Sequence, residues 1–319
     1  SEQRPVNEEL LSRMAETLFC TGRYMERADD TSRLVDVYVH RLLGDAASGS
    51  GADCGPLFGI LGVEPGPDAE LDVGAALFRL AYDAKSPSAI AGAVLAARAG
   101  ARGIREVISS EMWECLNVAG HGLTGQRRAA DRLGPHVFLR FIRERAALFF
   151  GLADSTMSHD DTWRFLVLGR SLERADMTAR LLLARMPGPP EESGPLLLHA
   201  CGAYESFIRT HGWVAEPAVV AEFLLRDRLF PRSVLYSLVA AEDCLVALNP
   251  GPVRMGMDDP ARRPVGQLRT RLEYAHTEQL TEQLPELLGQ LQQACVEACE
   301  AITGRYFQYE AQVAWERDG

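Results

Sequence analysis

Apolar residues recur three and four positions apart along most of this chain, the spacing of one buried helix face. Runs that alternate apolar with polar residues, as half-buried strands do, are missing. The pattern predicts an all-α fold, a multi-helix bundle of about ten helices. A first long helix is expected from Asn7, a good N-cap followed by Glu8 and Glu9, to about Leu43. A Gly/Ser/Ala linker, Gly44 to Gly55, ends it, and short helices follow near Pro56–Leu61 and Leu71–Ala84. Pro87, in a favoured first-turn position after Ser86, opens a stretch that runs with one or two breaks to Asn117. Gly134-Pro135 opens another, to about Ala153. Ser158 and Asp160 are candidate caps for the next, which stops before Pro187-Gly188-Pro189-Pro190, the sharpest break in the chain and a candidate hinge. Further helices begin near Glu192, Pro217 and Pro231. Asn249 to Pro264 reads as a loop, and Arg269 to Gln312 as a helix pair interrupted at Pro285.

The strongest signal is self-similarity. Gly22-Arg23-Tyr24-Met25-Glu26-Arg27-Ala28-Asp29-Asp30-Thr31-Ser32-Arg33-Leu34 returns as Gly169-Arg170-Ser171-Leu172-Glu173-Arg174-Ala175-Asp176-Met177-Thr178-Ala179-Arg180-Leu181, without a gap. The offset, 170 − 23 = 147 residues, is close to half of the 319-residue chain. A duplicated helical unit is therefore expected, with pseudo-repeat halves of residues 7–133 and 134–312 related by a pseudo-twofold axis inside one domain spanning 1–319.

Helical geometry says what such a repeat can do. At 100° per residue, Gly22, Glu26, Asp29 and Arg33 fall within about 60° of one another, with Arg23 and Asp30 flanking them. The second stripe is Gly169, Glu173, Asp176 and Arg180, flanked by Arg170, and each stripe borders an apolar arc. The glycine permits close approach by another helix or a ligand. Asp29–Arg33 and Asp176–Arg180 are i,i+4 pairs, each worth only ~0.2–0.5 kcal/mol if exposed. Such energies do not explain a whole charged face kept in both copies. A buried network between the copies explains it better, since breaking a buried pair costs ~3–5 kcal/mol. Two readings stay open. The stripes are structural ion pairs stitching two long helices, or their arginines, Arg23, Arg27, Arg170 and Arg174, receive carboxylate or phosphate groups through planar, permanently charged forks.

Composition narrows the function. With 47% hydrophobic and 24% charged residues the chain is of the globular class. A formal net charge of -11 argues against non-specific nucleic-acid binding. The first residues, Ser-Glu-Gln-Arg-Pro, form no hydrophobic targeting segment, and the longest small-apolar stretch, Ala89 to Ala97, falls far short of the ~20 residues that span a bilayer. The 7 cysteines form no CxxC pair and no Cys/His set at zinc spacing, and read as reduced thiols in a cytoplasm. Cys295 and Cys299, one turn apart, read as small buried hydrophobes.

Catalytic and cofactor motifs are missing: no GxGxxG, P-loop, HExxH or GxSxG. Di-iron bundles need Glu-x-x-His pairs, and Glu106, Glu111 and Glu114 lack the histidine. His159-Asp160-Asp161 reads as helix-start chemistry rather than metal ligation. Asp29-Asp30 superficially resembles the acidic pair of prenyl-transferring enzymes, but the second copy has Asp176-Met177. No metal or cofactor is therefore expected. Glu111, Trp113, Glu114 and Asn117 form a polar-aromatic cluster in which Trp113 reads as a core anchor. Glu111 and Glu114 share a helix side, as an acid/base pair would.

At these residues the sequence resembles the bacterial alpha-E family, an all-helical group. The resemblance is carried by Leu11-Ser12-Arg13-Met14-Ala15-Glu16 leading into Gly22-Arg23-Tyr24-Met25-Glu26-Arg27-Ala28, and by Ser109-Ser110-Glu111-Met112-Trp113-Glu114-Cys115-Leu116-Asn117. It continues through Trp163-Arg164-Phe165-Leu166 into the second motif, then Phe230-Pro231-Arg232-Ser233-Val234 and Ile302-Thr303-Gly304-Arg305-Tyr306-Phe307. One departure stands out: the family's Ala-Arg-Glu-Asn-Ala-Arg run is here Ala97-Arg98-Ala99-Gly100-Ala101-Arg102, without the acidic partner. Arg98, Arg102 and Arg105 still share a face, as a solvated stripe would. The resemblance implies a single helical domain encoded beside, or fused to, a circularly permuted ATP-grasp ligase-like protein and a transglutaminase-like cysteine peptidase. It also implies a role as partner or scaffold in peptide or amide-bond modification. The alternative is an enzyme or ligand-binding module in its own right, and a homo-oligomer is compatible with either.

Overall fold

The computed structural model describes residues 4–47, 54–64, 72–184, 190–251 and 258–307, and among these it is helical with no strand. The helices are α1 (Arg4–Ala47), α2 (Gly55–Leu61), α3 (Val73–Leu77) with a π-helical turn (Phe78–Tyr82), α4 (Ile90–Arg102), α5 (Ser110–Leu133), α6 (His136–Thr156) and α7 (Asp161–Leu183). They continue as α8 (Pro190–Ala200), α9 (Tyr204–His211), α10 (Pro217–Arg226), α11 (Val234–Leu248), α12 (Arg262–Tyr274), α13 (Thr277–Glu282) and α14 (Leu284–Tyr306).

Local chemistry sets most boundaries. Asp160 caps α7 by accepting from the backbone N–H of Thr162 and Trp163, and Ser109 and Ser233 do the same for α5 and α11. Several boundaries depart from expectation, and α5 runs on past Asn117 to Leu133. Asn7 lies inside α1, which starts at Arg4 and continues past Leu43 to Ala47. Ser86–Ala89 closes as a turn, with Ala89 N–H donating to Ser86 O at 2.9 Å, so α4 begins at Ile90 and not at Pro87. Pro264 sits within the first turn of α12 rather than in a loop, because Asp259 accepts from the N–H groups of Ala261 and Arg262 and starts the helix early. The closing pair is three helices, broken at Ala275 and at Gln283, with Pro285 in the first turn of α14 rather than at a break. Residues 48–53, 65–71, 252–257 and 308–312 of the expected linkers and ends, and the Pro187-Gly188-Pro189 hinge, lie outside the described residues.

α1 and α7 form the axis of the packing. α1 lies along α4, α6, α7, α8 and α14, and α7 along α1, α2, α11 and α14. The pair is parallel: residues early in one helix meet residues early in the other, Phe19 with Gly169 and Gly22 with Leu166, and later residues meet later ones. At the crossing the backbones almost touch. A Cβ on Gly22 would stand 2.2 Å from Leu166 O, and one on Gly169 would stand 2.1 Å from Phe19 O. Neither helix can carry a side chain there, which is the physical reason for glycine at the head of both motifs. Two buried apolar clusters flank the crossing, one around Leu18, Phe149 and Leu291, the other around Tyr38, Phe58 and Phe207.

The short helices on either side end alike. α2 closes at Gly62 (φ 64°), with Gly62 N–H on Gly59 O and Val63 N–H on Phe58 O. α8 closes at Gly202 (φ 60°), with Gly202 N–H on His199 O and Ala203 N–H on Leu198 O. Both are Schellman caps that need a left-handed residue. The first abuts Arg180 and the second Arg33, with Nη1 3.0 and 2.8 Å from where a Cβ would be.

Because the obstacle at the crossing is backbone, Gly22→Ala and Gly169→Ala should each lower stability by ~1–3 kcal/mol or more in urea unfolding. Gly125→Ala, which meets nothing within 4 Å on α5, should be neutral or stabilising.

Candidate functional site

The two charged stripes face each other across the α1–α7 crossing and exchange partners. Arg174 of α7 forms a two-pronged bond to Glu26 of α1, Nε to Oε1 at 2.5 Å and Nη2 to Oε2 at 2.8 Å. In return Arg27 donates Nε to Glu173 Oε1 at 2.6 Å, and Arg23 donates Nε to Glu173 Oε2 at 2.9 Å. Glu26 is 0% and Glu173 4% exposed, so both carboxylates are held by guanidiniums and not by water. The two i,i+4 pairs are present as well. Arg180 Nε donates to Asp176 at 2.7 Å, whereas Arg33 Nε lies 3.2 Å from Asp29 Oδ1 without the alignment of a hydrogen bond.

The largest break in symmetry is at the arginine that follows each glycine. Arg23 bonds Glu173, but its counterpart Arg170 turns instead to Asp154, at 3.6 Å, with its guanidinium 4.9 Å above the Phe150 ring. On the α1 side a further arginine takes the vacant place. Arg232, just before α11, reaches Glu26 at 3.2 Å and bonds both Asp29 and Asp30. Glu26, Asp29 and Asp30 gather their carboxylates within 4.8 Å, a donor set suited to a hard cation, and the Arg232 guanidinium stands among them as that cation. Arg232 is absent from the repeat itself. Its signal was the run Phe230-Pro231-Arg232-Ser233, where a proline and an N-capping serine aim one arginine at a fixed spot.

Burial and charge pull these groups apart in pKa. Burial pushes Glu26 up, but Arg174 and Arg232 together hold it down at about 2. Burial also drives Asp30 up, to about 8, because Arg232 is shared with Glu26 and Asp29 and Asp30 Oδ2 has no partner among the described residues. Glu173 follows Glu26: burial raises it, and Arg27 and Arg23 bring it below the ordinary range. Asp176, with Arg180 as its one bonded arginine, is raised by burial.

The second cluster stays apart from this crossing. α5 packs chiefly on α4 and α6. Asn117 accepts from Arg98 Nε at 2.8 Å, Arg98 also contacts His121, and Arg105 lies 5.1 Å over the Trp113 ring. Arg98 has thus found amide and imidazole partners in place of the missing acid. Glu111 and Glu114 are exposed, without the enclosure an acid/base pair requires. His159 stacks on Trp163 at 3.9 Å and Asp160 caps α7, so that triplet opens a helix.

Beside the second motif lies a cavity of about 380 Å³, walled by Arg23, Arg27, Glu173, Asp176 and Arg180. Cys295 and Cys299 of α14 line its far side, their thiols pushed up by burial, Cys299 to about 11. They are neutral at ordinary pH and poor nucleophiles.

A family model, Alpha-E, described as a predicted alpha-helical domain with a conserved ER motif, matches residues 10–307. The chain belongs to the Alpha-E family. Glu26-Arg27 and Glu173-Arg174 are Glu-Arg pairs at the crossing, each glutamate taking the arginine of the other pair. Uncharacterised proteins of Mycobacterium bovis and Mycobacterium tuberculosis are similar, at 26% and 25% identity over 91% of this chain. The chain covers 36% of those relatives, about a third of their length. No solved structure matches.

The pH response follows from the two shifted acids. Glu26 contributes stability that is complete above its ordinary value of 4.5 and is lost as pH falls toward about 2. Asp30 acts oppositely. The fold keeps its proton up to about 8 while the unfolded chain releases it near 3.8, so stability falls as pH rises between those values. Asp30→Asn should therefore raise the melting temperature more at pH 8 than at pH 5. Parallel melting curves for variant and wild type across that window would contradict the assignment.

Proposed function

We propose that this chain is a helical partner protein that works with an ATP-grasp-type ligase in peptide or amide-bond modification, with a transglutaminase-like protein as a further associate. The observation that carries the reading is coverage: the chain matches about a third of its mycobacterial relatives, so an Alpha-E unit there occupies part of a longer polypeptide. A unit of that kind works beside other domains. The structural reading of the stripes suits the role, because a buried crossing closed by paired charges gives a stiff frame on which a partner docks. The cytoplasm is the proposed compartment, where the thiols of the 7 cysteines stay reduced; all are free cysteines here. No described helix is long and apolar enough to cross a membrane.

The frame is read as a duplicated unit inside one domain, with halves of residues 7–133 and 134–312. Three reciprocal relations support this. The two motifs exchange glutamate–arginine bonds. The left-handed glycine ending α2 rests on Arg180 and the one ending α8 rests on Arg33. α4 lies along α1 after Pro87, as α11 lies along α7 after Pro231.

A second reading makes the chain a ligand-binding module or an enzyme that recognises anionic groups. The cavity beside Arg23, Arg27 and Arg180 favours it. Arg174 is committed to Glu26 and Arg170 to Asp154, which leaves those two outside it.

The partnership has a direct test. Tagged, folded chain expressed in its native host should co-purify an ATP-grasp protein in near-stoichiometric amount, and adding the chain to that ligase should change its rate of ATP turnover. Repeated purifications that yield no ATP-grasp protein would overturn it.

A further inference from the structure

The cavity beside the second motif has a filled counterpart. Around the first motif, Arg232 stands among Glu26, Asp29 and Asp30 and closes the space. Arg232 follows Pro231, two residues before α11, which packs along α7. The matching position before α4, which packs along α1, is Ser88 after Pro87. Ser88 lines the cavity. Where one side carries a guanidinium on a long stem, the other carries a hydroxymethyl group, and the volume of the missing side chain is left open.

The walls show what the opening suits. Around the filled side, three guanidiniums (Arg33, Arg174, Arg232) face three carboxyl groups. Around the open side Met177 replaces the third acid, and Arg23 has turned in, so Arg23, Arg27 and Arg180 face only Glu173 and Asp176. The inner wall therefore holds at least one positive charge in excess. All three arginines spend Nε on those carboxylates, and among the described residues none of their Nη atoms donates a hydrogen bond. Their forks are fixed in place with donors to spare, the arrangement that receives a planar carboxylate. Glu300 on α14 adds an exposed acid to the lining, facing what an ammonium group on the same ligand would need. Three acids around the opening also work against a dianion such as phosphate.

We infer that this cavity binds a small zwitterion, an amino acid or short peptide whose free carboxylate sits on the spare donors of Arg23, Arg27 and Arg180. The inference rests on the ligand-binding reading of the second motif and names its substrate class; it does not depend on the ligase partnership. Leu172, Met177 and Val296 give the ligand an apolar wall, and a volume of about 380 Å³ is of the size small-molecule sites use.

The test is calorimetric titration of the full chain with glycylglycine, its methyl ester and inorganic phosphate. Ser88→Arg rebuilds on this side the plug that Arg232 provides on the other, and it removes no existing partner. Arg180→Gln is the second variant. Glycylglycine should bind the wild type with a Kd in the millimolar range, and the ester at least about tenfold more weakly. Ser88→Arg should abolish binding with the melting temperature kept, and Arg180→Gln should weaken it about tenfold. Phosphate binding tighter than glycylglycine, yet lost in Ser88→Arg, would overturn the carboxylate class while leaving an anion site. Equal binding by wild type and Ser88→Arg, or no binding of any probe, would overturn the site itself.

Discussion

The structure depends on charge placed where two backbones come too close for water. At the α1–α7 crossing, glycine on each helix lets the axes approach, and the same approach strips solvent from Glu26 and Glu173. A carboxylate so buried is costly unless a hydrogen-bonded cation takes the place of water. The motif carries its own solution, because the residue after each glutamate is an arginine, and in a parallel pair each arginine reaches the opposite glutamate. Glycine, glutamate and arginine are thus three parts of one device. Removing the glycine forces the helices apart, and removing either charge strands the other.

The device also accounts for the difference between the two sides. Once each glutamate has one arginine from the opposite helix, each has an oxygen with capacity left. On the α1 side a residue from outside the repeat, Arg232, supplies the second arginine and closes the space. On the α7 side Arg23 supplies it from within the repeat, and Ser88 leaves room beyond. One crossing can therefore be a sealed structural pin on one face and a candidate ligand site on the other.

Much of this was legible in the sequence, for identifiable reasons. Helical periodicity gave the class of fold, and an ungapped repeat gave the two helices that pair. The coincidence of glycine and charge on one stripe pointed to a close, sheltered contact. Boundaries were harder where a cap competes with a proline: Ser86–Ala89 folds as a turn, and Asp259 starts α12 ahead of Pro264. The site was legible in part. The repeat treats Arg23 and Arg170 as equals, and only packing shows that one faces Glu173 and the other Asp154. Arg232 lay outside the repeat, and its role depends on a contact 206 residues away in sequence, which periodicity does not report. The acid/base reading of Glu111 and Glu114 met exposed surface because helical spacing places two residues on one side without saying whether that side is enclosed.

The central claim is that the cross-helix bond between Glu26 and Arg174 is a buried, mutually dependent pair. A double-mutant cycle of Glu26→Gln and Arg174→Met, read by urea unfolding, tests it most directly. Each single variant should be strongly destabilising and the double variant far less so than their sum, a coupling of ~1–3 kcal/mol. Losses that add within ~0.5 kcal/mol would show two independent charges and contradict the account.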